Sequence, residues 1–520
     1  MEYQSALPPL GGKSRRQLDQ LTDREVLLGL ALMTGVALAI ALWTTRAINP
    51  LRGDTFEYAY FDPSRTVGYP AFLWLIQSIT GRIAWAVPAQ MVLLAGSLLL
   101  LGRNLHDLVR RPAVSFAFQA VMLSQIAIWK SSAFLMTEGL SAALIALWCA
   151  QLLRSIRAPS LRDIALLAAI AGLAAMVRPS LIALSFATAI FAFFTLSRRD
   201  RGWSLLITGV GAVLAWGATP VALLIAHGSS TTTSPLARGI LQHTLFCNPH
   251  SVPVGSDAAF VENSAASVRA YIKTAPSDVQ EQLEGAYSTP LRFGLIIPVL
   301  GRRHHLEARS QVDPYLWTIA RQRVAANPAC YVGSIIGSYI RMATFDVNLT
   351  TTDSRRIRKF VADHPPVELP QYPVLARDEL QTLAVAKAAR NAPSGLNSDR
   401  QQLKLAGKLS QWALLPVQLL YGAATLAGIV SLFLFLKKRR RSPHEARLFA
   451  GVLAMGAALH AVFAITAIVE LGLSRYVVPL WPVVCTLNSV AILLWFEMRR
   501  AGALTPAHVH ELEALPVAAI

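Results

Sequence analysis

Long apolar runs, broken at fairly regular intervals by short polar stretches, dominate this chain. They fall at about 26–43, 83–102, 114–129, 135–153, 164–177, 180–196, 204–226, 412–436, 448–470 and 477–497. A helix crossing a bilayer needs roughly 20 mostly apolar residues, so the pattern predicts about ten transmembrane helices. The third and fifth runs are short, and the fifth stops at Arg178-Pro179. Two polar intervals are much longer than the rest. In the first, 44–82, a semi-apolar stretch from Thr66 to Ile76 is too short to span. It reads as an interfacial helix begun near Pro70, with Tyr69 and Trp74 at headgroup level. The second, 227–411, is long enough for a domain of its own, with helical patterns at about 312–326, 328–343 and 376–391.

The basic residues then fix a topology. From a cytoplasmic N-terminus, the expected inside segments carry Lys13, Arg15, Arg16 and Arg24; Arg103, Arg110 and Arg111; Arg154, Arg157 and Arg162; Arg198, Arg199 and Arg201; the run Lys437–Arg441; and Arg499 and Arg500. Every inside loop is basic, as the positive-inside rule requires, and miscounting by one span would break the alternation. The organisation expected is a cytoplasmic tail (1–25), a membrane core (26–226) containing the first outside loop, an extracytoplasmic segment of mixed or helical structure (227–411), C-terminal spans (412–497) and a second cytoplasmic tail (498–520).

Composition narrows the class. With 54% hydrophobic and 15% charged residues, the chain is too apolar for a soluble protein of its length. Its net charge of +18 lies in the short inter-span clusters, where it orients the protein rather than forming a nucleic-acid groove. Cys149 and Cys485 sit inside apolar runs as packing residues. Cys247 and Cys330 share the long polar segment and are a candidate disulfide if that segment meets an oxidising compartment. His243, His304 and His305 lack zinc-ligand spacing, and no metal or other cofactor is expected. His460, alone in the ninth run, reads as a helix–helix hydrogen-bonding residue.

Candidate chemistry gathers at the expected outside ends. The first outside loop holds Arg52, Asp54, Glu57, Tyr58, Asp62 and Arg65. Such a loop could simply be solvated, but it lies where a lipid headgroup would sit. A carboxylate there could act as a general base toward an acceptor hydroxyl or amine, and an arginine could hold a phosphate through paired hydrogen bonds. This suggests Asp54 as base, with Arg52 or Arg65 on a phosphate. The next outside turn carries Lys130 and Glu138. Glu138 either completes a helix N-terminus or serves a site, since an acid near the membrane is costly unless paired or used. Lys130 is otherwise a snorkelling anchor. Arg178, and Arg475 with Tyr476, are basic positions on the disfavoured side, which suggests an anionic partner. A Glu470–Arg475 ion pair is the plainer account of Arg475.

These residues resemble the pattern of GT-C fold glycosyltransferases, the class of the protein mannosyltransferases (family 39) and the bacterial lipid A aminoarabinose transferases. The likeness rests on Gly53-Asp54 with Tyr58, Arg65-Thr66-Val67-Gly68-Tyr69-Pro70, Thr137-Glu138-Gly139-Leu140, Met176-Val177-Arg178-Pro179, Ser474-Arg475-Tyr476 and Ala326-Asn327-Pro328 with Tyr331. Val67 stands where that family often has proline. The resemblance implies Asp54 as catalytic base and Glu138 as a second acidic residue that positions substrate. It also implies Arg178 and Arg475 near a lipid phosphate, joined in our reading by Arg52, Arg65 and Lys130. Glu57, Tyr58, Tyr69 and Tyr476 are the expected substrate contacts.

The expected protein is thus an all-α polytopic membrane protein, GT-C-like, of a bacterial inner membrane, with its active site facing the periplasm. It would be an inverting transferase, moving sugar from a polyprenyl-phosphate donor to a glycan, lipid or protein acceptor, and would have no nucleic-acid partner. The alternatives are a transporter, disfavoured because no internal repeat is visible, and an O-antigen-ligase-like enzyme using a diphosphate donor.

Overall fold

The structure, a computed structural model, describes residues 21–45, 55–63, 65–228, 235–251, 254–277, 280, 284, 290–306, 309–345, 414–436, 442–469 and 474–503. Most of these are helical, with no strand among the described residues. Asp54, Arg52, Glu470, the 376–391 pattern and the outer parts of both tails lie outside them, as does the side chain of Arg475.

In chain order the helices are α1 (Asp23–Thr45), α2 (Thr55–Ala59), α3 (Gly68–Thr80), α4 (Ala86–Val109), α5 (Pro112–Ser124), α6 (Ile126–Ser131), α7 (Thr137–Arg157), α8 (Leu161–Val177), α9 (Ala183–Thr195), α10 (Arg198–His227), α11 (Pro235–Thr244), α12 (Ser256–Lys273), α13 (Ile297–Arg303), α14 (Asp313–Ala326), α15 (Pro328–Ala343), α16 (Leu414–Leu436), α17 (Pro443–Val469), α18 (Ser474–Val477) and α19 (Trp481–Ala503). Seven helices are long and apolar enough to cross a membrane, built on α1, α4, α7, α10, α16, α17 and α19. The chain is therefore a multi-pass, all-α membrane protein. The other three expected spans are shorter: the 13-residue α5, the 17-residue α8, and the stretch Pro179–Thr195 that ends in α9.

The expected helix over 114–129 is in fact two. Gln125 is extended (φ −75°, ψ 90°), and its side-chain oxygen accepts from Ala127 N at 3.3 Å, capping α6. Trp129 Nε1 donates to the carbonyl of Leu123 at 3.1 Å, meeting one acceptor that the break exposes. Apolar periodicity runs through Gln125 unchanged, so the pattern hid a capping residue.

The bundle core is built around α7, which is buried along most of its length and packs against α4 and α8. Trp148 on α7 donates to Thr188 Oγ1 on α9 at 3.0 Å, and Asn104 Nδ2 to the carbonyl of Ala150 at 2.8 Å. Cys149 and Cys485 are both buried and free. At one end of the bundle the basic clusters meet acidic partners: Arg110 with Asp23, Arg157 with Asp107 and Arg154 with Asp163.

The opposite end carries the long polar segment. Its helices α11, α12, α13 and α14 enclose a separate hydrophobic core that includes Leu241, Val261, Ile272, Leu300 and Leu316. Buried arginines bind this core together. Arg323 donates to the carbonyls of Thr244, Leu245 and Cys247 and pairs with Glu262, while Arg238 meets Asp313 at 2.8 Å. Burial raises the Asp313 carboxyl, the Arg238 guanidinium opposes that shift, and the nearby Asp62 adds to it, so the first loop approaches this segment.

A disulfide joins Cys247 to Cys330, tying the end of α11 to the start of α15. α15 itself packs on the bundle. Tyr339 hydrogen-bonds His460 Nδ1, His460 Nε2 meets the carbonyl of Thr425 at 3.1 Å, and Met342, Ala343 and Phe345 join the bundle core. His460 lies about 14 Å from Val469 along α17, at 1.5 Å per residue, so α15 reaches well below the helix ends.

Candidate functional site

The site grows from turns at the segment-bearing end of the bundle. Arg178 is extended (φ −147°, ψ 116°), and Pro179 starts the next short turn. The break follows from chemistry: the residue before a proline is driven out of the helical region. This aims the guanidinium across the bundle end toward α7. There, Met136 is extended (φ −144°, ψ 163°) and Thr137 begins α7, placing Glu138 in its first turn.

Two glycines allow the close approaches this requires. A Cβ on Gly68 would lie 2.6–2.7 Å from backbone atoms of Met176 and Val177, and one on Gly139 would meet Ser132 at 2.8–3.0 Å. Glycine thus lets α3 rest on the end of α8 beside Arg178, and lets the 132–136 turn fold back on α7.

Gln90, on span α4, fixes that turn. Its amide donates to the carbonyls of Ser132 and Phe134 at 2.6 and 2.7 Å, and its oxygen accepts from the Tyr69 hydroxyl at 3.3 Å. The first loop docks through Thr66 Oγ1 to the carbonyl of Val177 (3.1 Å), Val67 N to Thr219 Oγ1 (3.2 Å) and Thr55 Oγ1 to the carbonyl of Leu135 (3.3 Å). Tyr58, Tyr69, Leu73, Leu135, Leu140 and Val177 form a small apolar core beneath.

Within this frame the charges form a chain of contacts. Arg65 Nε donates to Glu57 Oε2 at 2.8 Å, its Nη2 makes a second contact there, and its guanidinium lies 4.8 Å over the Tyr58 ring. Tyr58 meets Tyr69 edge-on at 5.1 Å. Burial holds the Tyr69 phenol well above its usual pKa, and the nearby Glu138 carboxylate and Tyr58 push it the same way. Glu138 Oε1 lies 3.6 Å from Arg178 Nη2, an ion pair too long to be a good hydrogen bond. Their side chains are only 6% and 11% exposed. The Tyr476 ring covers Arg178 at 4.6 Å.

Glu57, Tyr58, Arg65, Tyr69, Glu138, Arg178 and Tyr476 are therefore brought together. Tyr69 is fully buried and bonded to Gln90, whereas Trp74 of the same helix is exposed. The reason is side-chain direction. Tyr69, Pro70 and Leu73 share the inward face of α3, and Trp74 points away from it. Lys130, in α6, is exposed. Arg65 is held by Glu57, and Arg178 by Glu138, which answers its expected need of an anion from within the chain.

Sequence reading missed Gln90, Thr219 and Ser141. The available signal was a polar residue inside an apolar run, which must find a partner or serve a function. Ser141 is fully buried, and its hydroxyl finds no hydrogen-bond partner among the described residues; the same holds for Glu138 Oε2 and Arg178 Nη1. No group of three or more His, Cys, Asp or Glu side chains placed to hold a metal ion occurs among the described residues. No family model, curated protein or solved structure matches the chain.

Proposed function

We propose that the protein is a membrane glycosyltransferase, moving a sugar from a polyprenyl-phosphate donor to an acceptor on the side of the membrane away from its basic loops. The observation that carries this reading is the buried, incompletely hydrogen-bonded Glu138–Arg178 pair, set where the docked first loop meets the start of α7 and the end of α8. A pair this dry is costly to build and weak evidence of added stability, whereas reacting groups are commonly held in such places. The sequence resemblance supplies the reaction. Asp54 takes the proton of the acceptor hydroxyl, and the acceptor oxygen bonds to the anomeric carbon as the bond from that carbon to the phosphate oxygen breaks. Polyprenyl phosphate leaves, and the configuration inverts. Arg52, Lys130 and Arg475 are the basic groups for the leaving phosphate. The acceptor is a glycan, a lipid or a protein.

The test is sugar release from labelled polyprenyl-phosphate sugars by purified wild type and Asp54→Asn. Release by wild type with at least about a 100-fold loss in the variant is expected, the scale of general-base catalysis. A lipid product bearing two phosphates would point to a ligase, and no release from any monophosphate donor would sink the proposal.

The same reading takes ten crossings, with α5–α6, α8 and Pro179–Thr195 completing the seven longer spans. At about 1.5 Å per residue, 17 residues cover roughly 25 Å, short of a 30 Å core but within reach of a locally thinned bilayer. Single cysteines placed at the two termini should then label from the same side of sealed vesicles. Seven crossings would put them on opposite sides.

A further inference from the structure

We infer that the Glu138–Arg178 pair, with Ser141, forms a binding subsite for an uncharged, hydroxyl-bearing group, the sugar of the donor, and not a phosphate subsite. This rests on the transferase reading above and names which part of the substrate meets the pair.

Charge balance comes first. Arg178 has its counter-ion within 3.6 Å, both side chains are nearly excluded from water, and the Tyr476 ring covers the guanidinium. The site is therefore close to neutral. A phosphate oxygen approaching Arg178 would also approach the Glu138 carboxylate, and like charges repel strongly where water cannot screen them.

The unmet atoms come second. Glu138 Oε2 can only accept a hydrogen bond, Arg178 Nη1 can only donate one, and the Ser141 hydroxyl does both. Ser141 lies three residues after Glu138, on the same face of α7. A phosphate, an acceptor throughout, satisfies Nη1 and leaves Oε2 facing negative charge. A hydroxyl donates to Oε2 and accepts from Nη1, and neighbouring hydroxyls on a sugar ring match such a donor–acceptor alternation. Gln90 holds the 132–136 turn, and so the start of α7, with two hydrogen bonds, which keeps the subsite in place before any ligand arrives.

Binding of two probes separates the possibilities: undecaprenyl phosphate, and undecaprenyl phosphate bearing a hexose. Each is measured on full-length wild type, Ser141→Ala and Glu138→Gln in nanodiscs. Wild type is expected to bind the hexosyl lipid more tightly than the bare phosphate. Ser141→Ala should weaken hexosyl-lipid binding several-fold and Glu138→Gln about tenfold, with bare-phosphate binding unchanged. Ser141→Ala removes one oxygen and is the variant least able to disturb the fold. Equal weakening of both probes would make this a phosphate subsite and overturn the inference alone. So would no change in either, which is what a buried structural water at these atoms would give. Wild-type protein that binds neither probe would overturn the donor class, and this inference with it.

Discussion

Replacing Glu138 with alanine is expected to destabilise the detergent-solubilised protein by about 3–5 kcal/mol, the usual cost of stripping one partner from a buried ion pair. The Arg178 guanidinium would stay in place at 11% exposure, with Nη1 already unmet and its counter-ion gone. The Tyr476 ring 4.6 Å away offsets only part of this, since a cation–π contact is worth about 2 kcal/mol when desolvated. The informative comparison is the double variant Glu138→Leu with Arg178→Leu. Apolar replacement of both members of a buried pair is often neutral or stabilising, so the double variant should recover most of the lost stability while remaining inactive. Thermal unfolding followed by retention on a sizing column, read beside sugar transfer, distinguishes the two effects. Should Glu138→Ala unfold within about 0.5 kcal/mol of wild type, a value ordinary for surface sites, the pair is not as dry as its geometry indicates.

Loss of the Cys247–Cys330 bond is the second large effect. The cross-link closes a loop of sequence separation 83, for which the chain-entropy relation gives about 4.5 kcal/mol, inside the 2–5 kcal/mol measured when native disulfides are removed. The loss should be local. The core of α11–α14 is separate from that of the bundle, so Cys330→Ala should open the polar segment to protease well before the spans unfold. The expected outcome is early cleavage within residues 228–345 of the variant, or of reduced wild type, with the bundle fragment intact. Identical digestion patterns with and without reductant would mean that the buried arginine network holds this segment unaided.

Much of the frame was written in the apolar pattern, because lipid imposes one simple demand, that every spanning backbone be internally hydrogen-bonded. Each of the ten apolar runs meets helix among the described residues, and Arg110, Arg154 and Arg157 from the basic clusters pair with acids of neighbouring helices. What the pattern could not carry is pairing at a distance. Glu138 and Arg178 stand on different helices, and nothing in their spacing marks them as partners. Glu57 and Arg65 are eight residues apart, a separation with no meaning on a helix face; they meet because the chain doubles back through Phe61, which has a positive φ of 48°. Gln90 looked like one polar interruption in a span, and its role appears only once the carbonyls of Ser132 and Phe134 are seen beside it. His460 was the easier case, since a lone histidine in a span must find a neighbour, and Tyr339 and Thr425 supply it.

The placement of α15 has a consequence for how the chain is made. Among the surfaces it rests on, those of α11 and α14 precede it in the chain, whereas those of α16 and α17 leave the ribosome after it. Until α17 has been inserted, Tyr339 has no His460 to bond. Both cysteines of the disulfide, by contrast, precede these helices in the chain, so the bond can close while synthesis continues. Maturation therefore runs out of step with translation: the polar segment compacts and cross-links early, and α15 settles into the membrane bundle only after the C-terminal helices arrive. A chain truncated after residue 345 would keep α15 tied to α11 by the disulfide but would lack the α16 and α17 surfaces on which its later turns dock.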